Sequence, residues 1–181
     1  MPAERRIFYA DKSPEKGQKG GKLELIYIII GQSGAGKSTF AKTNFLESPI
    51  EIVEDIIPYS KCANGIFALG RYDVGKRTEG TDTLSYNAKE NIKKQLKKLK
   101  GKNILLEGDR INNKNIFDFI ATYGEDVKLY LVTCSLKTSM ERLRAAGSAI
   151  TPTFVKATKT KSKRMFLKYA GRFHGEIIKT D

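Results

Sequence analysis

The sequence predicts an α/β domain built on a mainly parallel sheet, and three observations carry that expectation. The run Leu25–Ile30 is continuously apolar, as a central parallel strand covered on both faces must be. Further apolar segments, Asn103–Gly108 and Val127–Cys134, are separated from it by stretches whose apolar residues recur at helical spacing. Strands alternating with helices place helices on the faces of a parallel sheet. A length of 181 residues fits one domain with a full core.

The first strand leads into Gly31-Gln32-Ser33-Gly34-Ala35-Gly36-Lys37-Ser38, and the helix-compatible Thr39–Leu46 follows. This is G-x-x-x-x-G-K-[ST] between strand and helix, the P-loop pattern. Glycines at 31, 34 and 36 permit backbone angles that turn successive N–H groups inward around an oxyanion. The helix starting near Lys37 adds the positive end of its dipole. Gly31, Ser33, Gly34, Ala35, Gly36, Lys37, Ser38 and Thr39 are therefore the expected nucleotide-binding residues. Lys37 is expected to reach the β- and γ-phosphates of ATP, and the Ser38 hydroxyl to ligand Mg²⁺.

The remaining elements follow from local signals. The helix after the P-loop should stop near Glu47-Ser48, because Pro49 disfavours helix at the residue before it. Ile50–Val53 alternates and reads as a second strand, ending at Glu54-Asp55. Pro58–Asp82 is irregular and dense in glycine, Arg71, Tyr72 and Asp73, with Ile66–Leu69 as a short strand; a long loop of this kind is usually functional. Asp82 is expected to N-cap a long helix over Thr83–Lys100, with Leu84, Ala88, Ile92, Leu96 and Leu99 as its buried stripe. A helix over Asn115–Tyr123 should stop at Gly124. Ser135 should cap a helix running to Ala146, and Thr151-Pro152 should open a last long helix. The tail from Gly171 is too short to assign.

Composition narrows the function. Lys+Arg exceed Asp+Glu by 33 to 20, a net charge of +13 with a pI near 9.7. ATP alone does not require such an excess, which points to a polyanionic partner, DNA first. Lysines gather on the 83–100 helix, among them Lys93, Lys94, Lys97 and Lys98, and again over Lys156–Lys168. Cys62 and Cys134 have no metal-ligand spacing, which suggests reduced thiols in the cytoplasm, and His174 is the lone histidine. No run approaches the ~20 apolar residues of a membrane span. Residues 1–22 read as a flexible basic arm, richest in glycine and charge over Asp11–Lys22, and residues 23–181 as the catalytic domain. Oligomeric state leaves no mark in the sequence.

Phosphoryl transfer needs a cradle, a metal and a base for the acceptor. Glu107 ends a buried strand and is the expected second group on the metal side, with Asp109 its rival. Asp55, Asp73 and Asp82 are the candidate acceptor carboxylates. Arg71 and Tyr72 should help hold the substrate, Arg71 alternatively pairing with Asp73, and Tyr72 or Tyr86 could offer a base a stacking face. The P-loop, Asp55, Glu107 and Ser135 all lie at carboxyl ends of expected strands and should converge on one cleft.

The P-loop, the strand end Leu106-Glu107-Gly108-Asp109-Arg110 and the helix segment Glu141-Arg142-Leu143-Arg144 resemble the small P-loop kinases over Leu25 to about Lys168. That resemblance implies a single P-loop kinase-like domain using ATP and Mg²⁺. It also implies a Lys/Arg-rich lid around 136–168, whose Arg142 and Arg144 would neutralise the moving γ-phosphate. The segments Leu69-Gly70-Arg71-Tyr72-Asp73 and Gly80-Thr81-Asp82-Thr83-Leu84-Ser85 are most similar to phage-encoded kinases of DNA hypermodification. Those enzymes phosphorylate 5-hydroxymethyluracil already in DNA, which would place this chain in the host cytoplasm. A kinase of a free nucleoside, nucleotide or other small metabolite, and a P-loop NTPase that is not a kinase, are the alternatives.

Overall fold

In a computed structural model, which describes residues 25–72, 79–123 and 126–181, the expected central strand β1 (Leu25–Gly31) lies between β5 (Asn103–Glu107) and β6 (Asp126–Thr133), parallel to both. Completing the sheet are β2 (Ile50–Val53), β3 (Tyr59–Cys62), β4 (Ile66–Leu69) and β7 (Gly175–Lys179), in the order β2-β3-β4-β5-β1-β6-β7. The five strands from β4 to β7 are mutually parallel. β3 runs antiparallel to β4, and β2 antiparallel to β3. The chain is thus a single α/β domain with a mostly parallel sheet flanked by helices. The arm over 1–22, Asp73 and Gly124 lie outside the described residues.

Both faces of β1 are buried, which is why its sequence is a continuous run. Ile26, Ile28 and Ile30 point to one core with Ile104 and Leu106, closed by α2 (Lys89–Lys98), α3 (Lys114–Ala121) and α5 (Pro152–Tyr169). Ile29, Leu105 and Val132 point to the other core, beneath Ala41 and the partly buried Phe40 and Phe45 of α1 (Lys37–Phe45). Each fully buried Ile or Leu contributes roughly 1.5–3 kcal/mol relative to exposure. The buried stripe of α5, Val155, Thr158, Ser162, Phe166 and Tyr169, keeps helical spacing and lays this helix against β1 and β6.

Caps set the later helices where the sequence suggested. The Ser135 hydroxyl accepts from Thr138 N–H at 3.0 Å and opens α4 (Leu136–Ala145). Thr151 does the same for α5 through Phe154 N–H, with Pro152 at the first turn. α3 begins one residue earlier than expected, because the Asn113 side chain caps it through Ile116 N–H.

Three expectations are corrected. The helix expected over Thr83–Lys100 is α2, which starts only at Lys89, and Asp82 sits instead in a 3-10 turn over Thr81–Thr83. The reason is tertiary: Asp82 Oδ1 accepts the Asp109 N–H at 2.8 Å and Thr81 Oγ1 donates to the Glu107 carbonyl at 2.6 Å. The segment is pinned to β5 and turns before it can wind. The stripe Leu84, Ala88, Ile92, Leu96 and Leu99 is nonetheless buried. Second, the irregular stretch contains β3, whose buried Ser60 donates to the Gly70 carbonyl and accepts from Tyr72 N–H. Third, the unassigned tail forms β7 on the far edge of the sheet.

Candidate active site

The cleft lies beyond the carboxyl ends of β1, β4 and β5, where open α/β sheets place their ligands. After β1 the chain enters the P-loop with Gly34 at φ +75° and Gly36 at φ +86°, and α1 starts at Lys37. These positive angles turn the amides of the loop inward. The loop is seated from behind rather than held by itself. Gln32, buried, donates through Nε2 to the Cys134 carbonyl at 2.8 Å and to Ser139 Oγ at 3.2 Å, and its Oε1 accepts from Thr133 Oγ1. α4 presses so close to Gly34 that a Cβ there would stand 2.7 Å from the Ser139 carbonyl oxygen. Thr180, just past β7, donates from Oγ1 to the Ala35 carbonyl at 2.8 Å. Thr39 is exposed on the first turn of α1.

Lys37 is half-buried, its Nζ 3.2 Å from the Gln32 carbonyl. The Ser38 hydroxyl donates to Glu107 Oε2 at 3.2 Å, so the P-loop serine and the end of β5 meet. Glu107 is almost wholly buried and its Oε2 also accepts from the Tyr72 hydroxyl at 3.3 Å. Burial pushes the Glu107 carboxyl up to about 7, the Asp82 charge adding to the effect; Lys37 and the hydroxyls of Ser38 and Tyr72 oppose it. A cation held beside Glu107 would favour its ionised form. Among the described residues no three His, Cys, Asp or Glu side chains cluster to cage a metal. Mg²⁺ on a bound triphosphate does not need a cage, since one or two protein oxygens plus phosphates and waters suffice. Ser38 and Glu107 fit that role.

The segment 79–84 closes the opposite side. A Cβ on Gly80 would come within 2.5 Å of Glu107 Oε2, and one on Gly108 within 2.8 Å of Asp82 Oδ1, so glycine at both positions lets Asp82 approach Glu107. Asp82 is half-buried and Asp109 is tied to Lys161 of α5 at 3.0 Å. Glu79, which no sequence signal picked out, is buried here and pairs with Lys42 of α1. Its only trace in the sequence is a carboxylate three residues before Asp82.

Other expected site residues are placed elsewhere or differently. Asp55 is not brought to the cradle. It follows β2, separated from β1 by three strands, and binds Lys98 Nζ at 2.7 Å and Gln95 Nε2 at 3.2 Å. The Lys98 hydrogen bond, with Ile56 N–H, holds its carboxyl below the usual range. Tyr72 offers no stacking face, because it is buried in the second core and burial with the Glu107 charge raises its phenol far above the ordinary range. Arg71 pairs with Glu54 on the sheet's rim. Ser135 is spent on its cap, and its N–H donates to Asp181 Oδ1 at 2.7 Å. Arg142 donates to Thr180 Oγ1 at 2.9 Å and lies 3.5 Å from the Gly34 carbonyl, so it braces the rear of the loop; Arg144 is exposed on the same helix.

No protein-family model matches the chain, and no curated protein matches it. Similar solved structures include M. mycoides deoxyadenosine kinase with bound dATP, 15% identical with a TM-score of 0.41 over 85% of this chain and 90% of that one. The same kinase with bound dCTP gives 15% and 0.42 over 85% and 89%, and with dCMP and a flexible dCDP 16% and 0.42 over 84% and 89%. No described helix is long and apolar enough to cross a membrane.

The raised Glu107 carboxyl has a consequence for stability. The folded chain holds this proton up to about 7, whereas the unfolded carboxyl releases it near 4.5. Between those values the folded state binds more protons, so its stability falls as pH rises through the window. Without nucleotide or Mg²⁺, stability should fall by about 3 kcal/mol from pH 5 to pH 8, and the melting temperature with it. Glu107→Gln should flatten that decline when the two proteins are melted across the same buffers.

Proposed function

We propose that this chain is an ATP-dependent kinase that transfers the γ-phosphate to a hydroxyl, the preferred acceptor being the hydroxymethyl group of 5-hydroxymethyluracil in DNA. The observation that carries the kinase reading is the meeting of three segments at one point. Ser38 of the P-loop touches Glu107 of β5, and Asp82 packs over Gly108 beside it. A hydrolase needs a positioned water, whereas an acceptor hydroxyl needs a carboxylate at the cradle in addition to the metal-side one. Asp82 is the candidate for that carboxylate among the described residues, supported by its packing over Gly108, and Asp73 is the other candidate.

In this reading the P-loop amides and Lys37 hold the β- and γ-phosphates. Ser38 and Glu107 would hold Mg²⁺, which supplies neutralisation of phosphate charge as the terminal phosphoryl group leaves. The acceptor hydroxyl oxygen bonds to the γ-phosphorus as the bond to the β–γ bridging oxygen breaks. Its proton passes to the Asp82 or Asp73 carboxylate, and ADP departs. Arg144 lies on the helix that would form part of a lid, with Arg142 as the brace behind it. The DNA acceptor is supported by the basic surface and by the resemblance of Leu69–Asp73 and Gly80–Ser85.

The test is radiolabelled ATP offered in parallel to hydroxymethylated DNA, unmodified DNA and free nucleosides. Label in the modified DNA alone is the expected result. Label in free nucleosides would make this a small-metabolite kinase, and ADP release with no labelled acceptor would make it an NTPase. Asp82→Asn and Asp73→Asn should separate the two carboxylates. The base's variant should lose kcat by at least 10²-fold with ATP affinity nearly unchanged, by steady-state kinetics.

A further inference from the structure

Between Arg142 and Gly175 the chain holds nine Lys or Arg and no Asp or Glu. Much of this charge falls on α5, whose outer face forms a shallow groove of about 650 Å³ lined by Thr153, Lys156, Thr160, Lys161, Arg164 and Met165. Three lysines of α2 are engaged by their own surroundings. Lys93 pairs with Glu90, Lys98 with Asp55, and Lys97 lies over the Phe119 ring. Lys156, Lys163 and Arg164 of α5 are exposed.

The groove adjoins the acceptor side of the cleft through the segment 108–113. Lys161 reaches Asp109, the Asn112 side chain donates to Ser162 Oγ at 2.9 Å, and Asp109 N–H bonds Asp82. On the other flank of that segment stands Tyr86, 77% exposed, with the Arg110 guanidinium 3.5 Å from its ring centre. Arg110 is itself fixed by a hydrogen bond from Nε to the Leu84 carbonyl at 3.1 Å. An exposed ring stiffened by a cation has no role in the core.

We propose that α5 carries the backbone of a single nucleic-acid strand, its phosphates lying along Lys156, Thr160 and Arg164, while a base next to the reacting one stacks on Tyr86. A basic groove beside an aromatic face is how proteins hold single strands without reading sequence. A strand, rather than a closed duplex, suits a cleft that must receive one base at the P-loop. The proposal rests on the reading of this cleft as a kinase site with a DNA acceptor, and it assigns the surface that delivers the acceptor.

The test is fluorescence anisotropy with a labelled, unmodified oligothymidylate of about 12 nucleotides, within the span such sites cover. Binding of a fluorescent ATP analogue is read on the same samples. Lys156→Glu with Arg164→Glu should weaken oligonucleotide binding at least 10-fold and leave ATP binding unchanged. The slope of log K against log salt should become shallower by roughly 0.7 for each phosphate no longer neutralised. Tyr86→Ala should cost roughly 5- to 100-fold. Lys94→Glu with Lys97→Glu on α2 should cost less than the α5 pair. Wild-type affinity in the α5 pair, equal loss from α2, or capture by anionic phospholipid vesicles but not by the oligonucleotide would each overturn the assignment. Because the probe carries no hydroxymethyl group, it reports on the groove alone. Failure to phosphorylate hydroxymethylated DNA would overturn the acceptor reading separately.

Discussion

Replacing Lys37 by Ala should leave the melting temperature within a few degrees of wild type and lower turnover by about 10²–10³-fold, the cost of losing one preorganised charge interaction. The fold should survive for a specific reason. Lys37 is the main charge favouring ionised Glu107, and removing it would strand a buried carboxylate if that group had to stay charged. It does not, because its carboxyl already sits at about 7 and can keep a proton. The lysine's remaining bond is to the Gln32 carbonyl, which the loop's own seat holds in place. Steady-state kinetics paired with thermal melts checks both halves. Wild-type turnover, or a melting point lowered by 10 °C or more, would show that Lys37 serves structure rather than chemistry.

Gly31→Ala should do the opposite, lowering stability first. A Cβ at this position would lie 2.0 Å from the Val132 carbonyl oxygen, at the point where β1 and β6 pair. No rotamer change relieves a clash between a Cβ and backbone, so the two central strands must part. Overpacking of a core typically costs 1–3 kcal/mol, and this case should reach at least about 3 kcal/mol. That corresponds to roughly 6–12 °C in a domain of this size. Differential scanning calorimetry of the two proteins decides the matter. A variant that melts like wild type would mean that the β1–β6 junction is far softer than its geometry.

The parts legible in the sequence were those fixed by local chemistry. Leu25–Ile30 announced a central strand because both of its faces are buried, and Ser135 and Thr151 announced helix starts because a hydroxyl satisfies the next turn's amides. The P-loop's spacing is itself a local backbone requirement. What could not be read depends on partners distant along the chain. Asp82 had the look of a helix cap until its oxygen met Asp109 N–H, 27 residues on. β3 is a four-residue strand with polar Ser60 inside it, acceptable only because Gly70 and Tyr72 satisfy the hydroxyl. β7 is largely exposed, so it lacks the apolar signature that marks β1. Asp55 shows the limit most directly: a strand end was recognised, but its place in the strand order was not.

The seat of the P-loop also bears on how the domain assembles. The eight residues of the motif are contiguous, yet the bonds that seat them come from Cys134 and Ser139, over 100 positions later, from Thr158, 125 later, and from Thr180, 145 later. Contacts of such sequence separation form only after large loops have closed, which slows folding. The phosphate cradle is therefore completed only by contacts that span most of the chain, that of Thr180 beyond β7 among them. A chain whose sheet had formed without β7 would carry the complete motif and lack the hydrogen bond from Thr180 to Ala35. A nucleotide that favoured the seated loop would, by the same linkage, favour the chain with β7 in place and stabilise the domain as a whole.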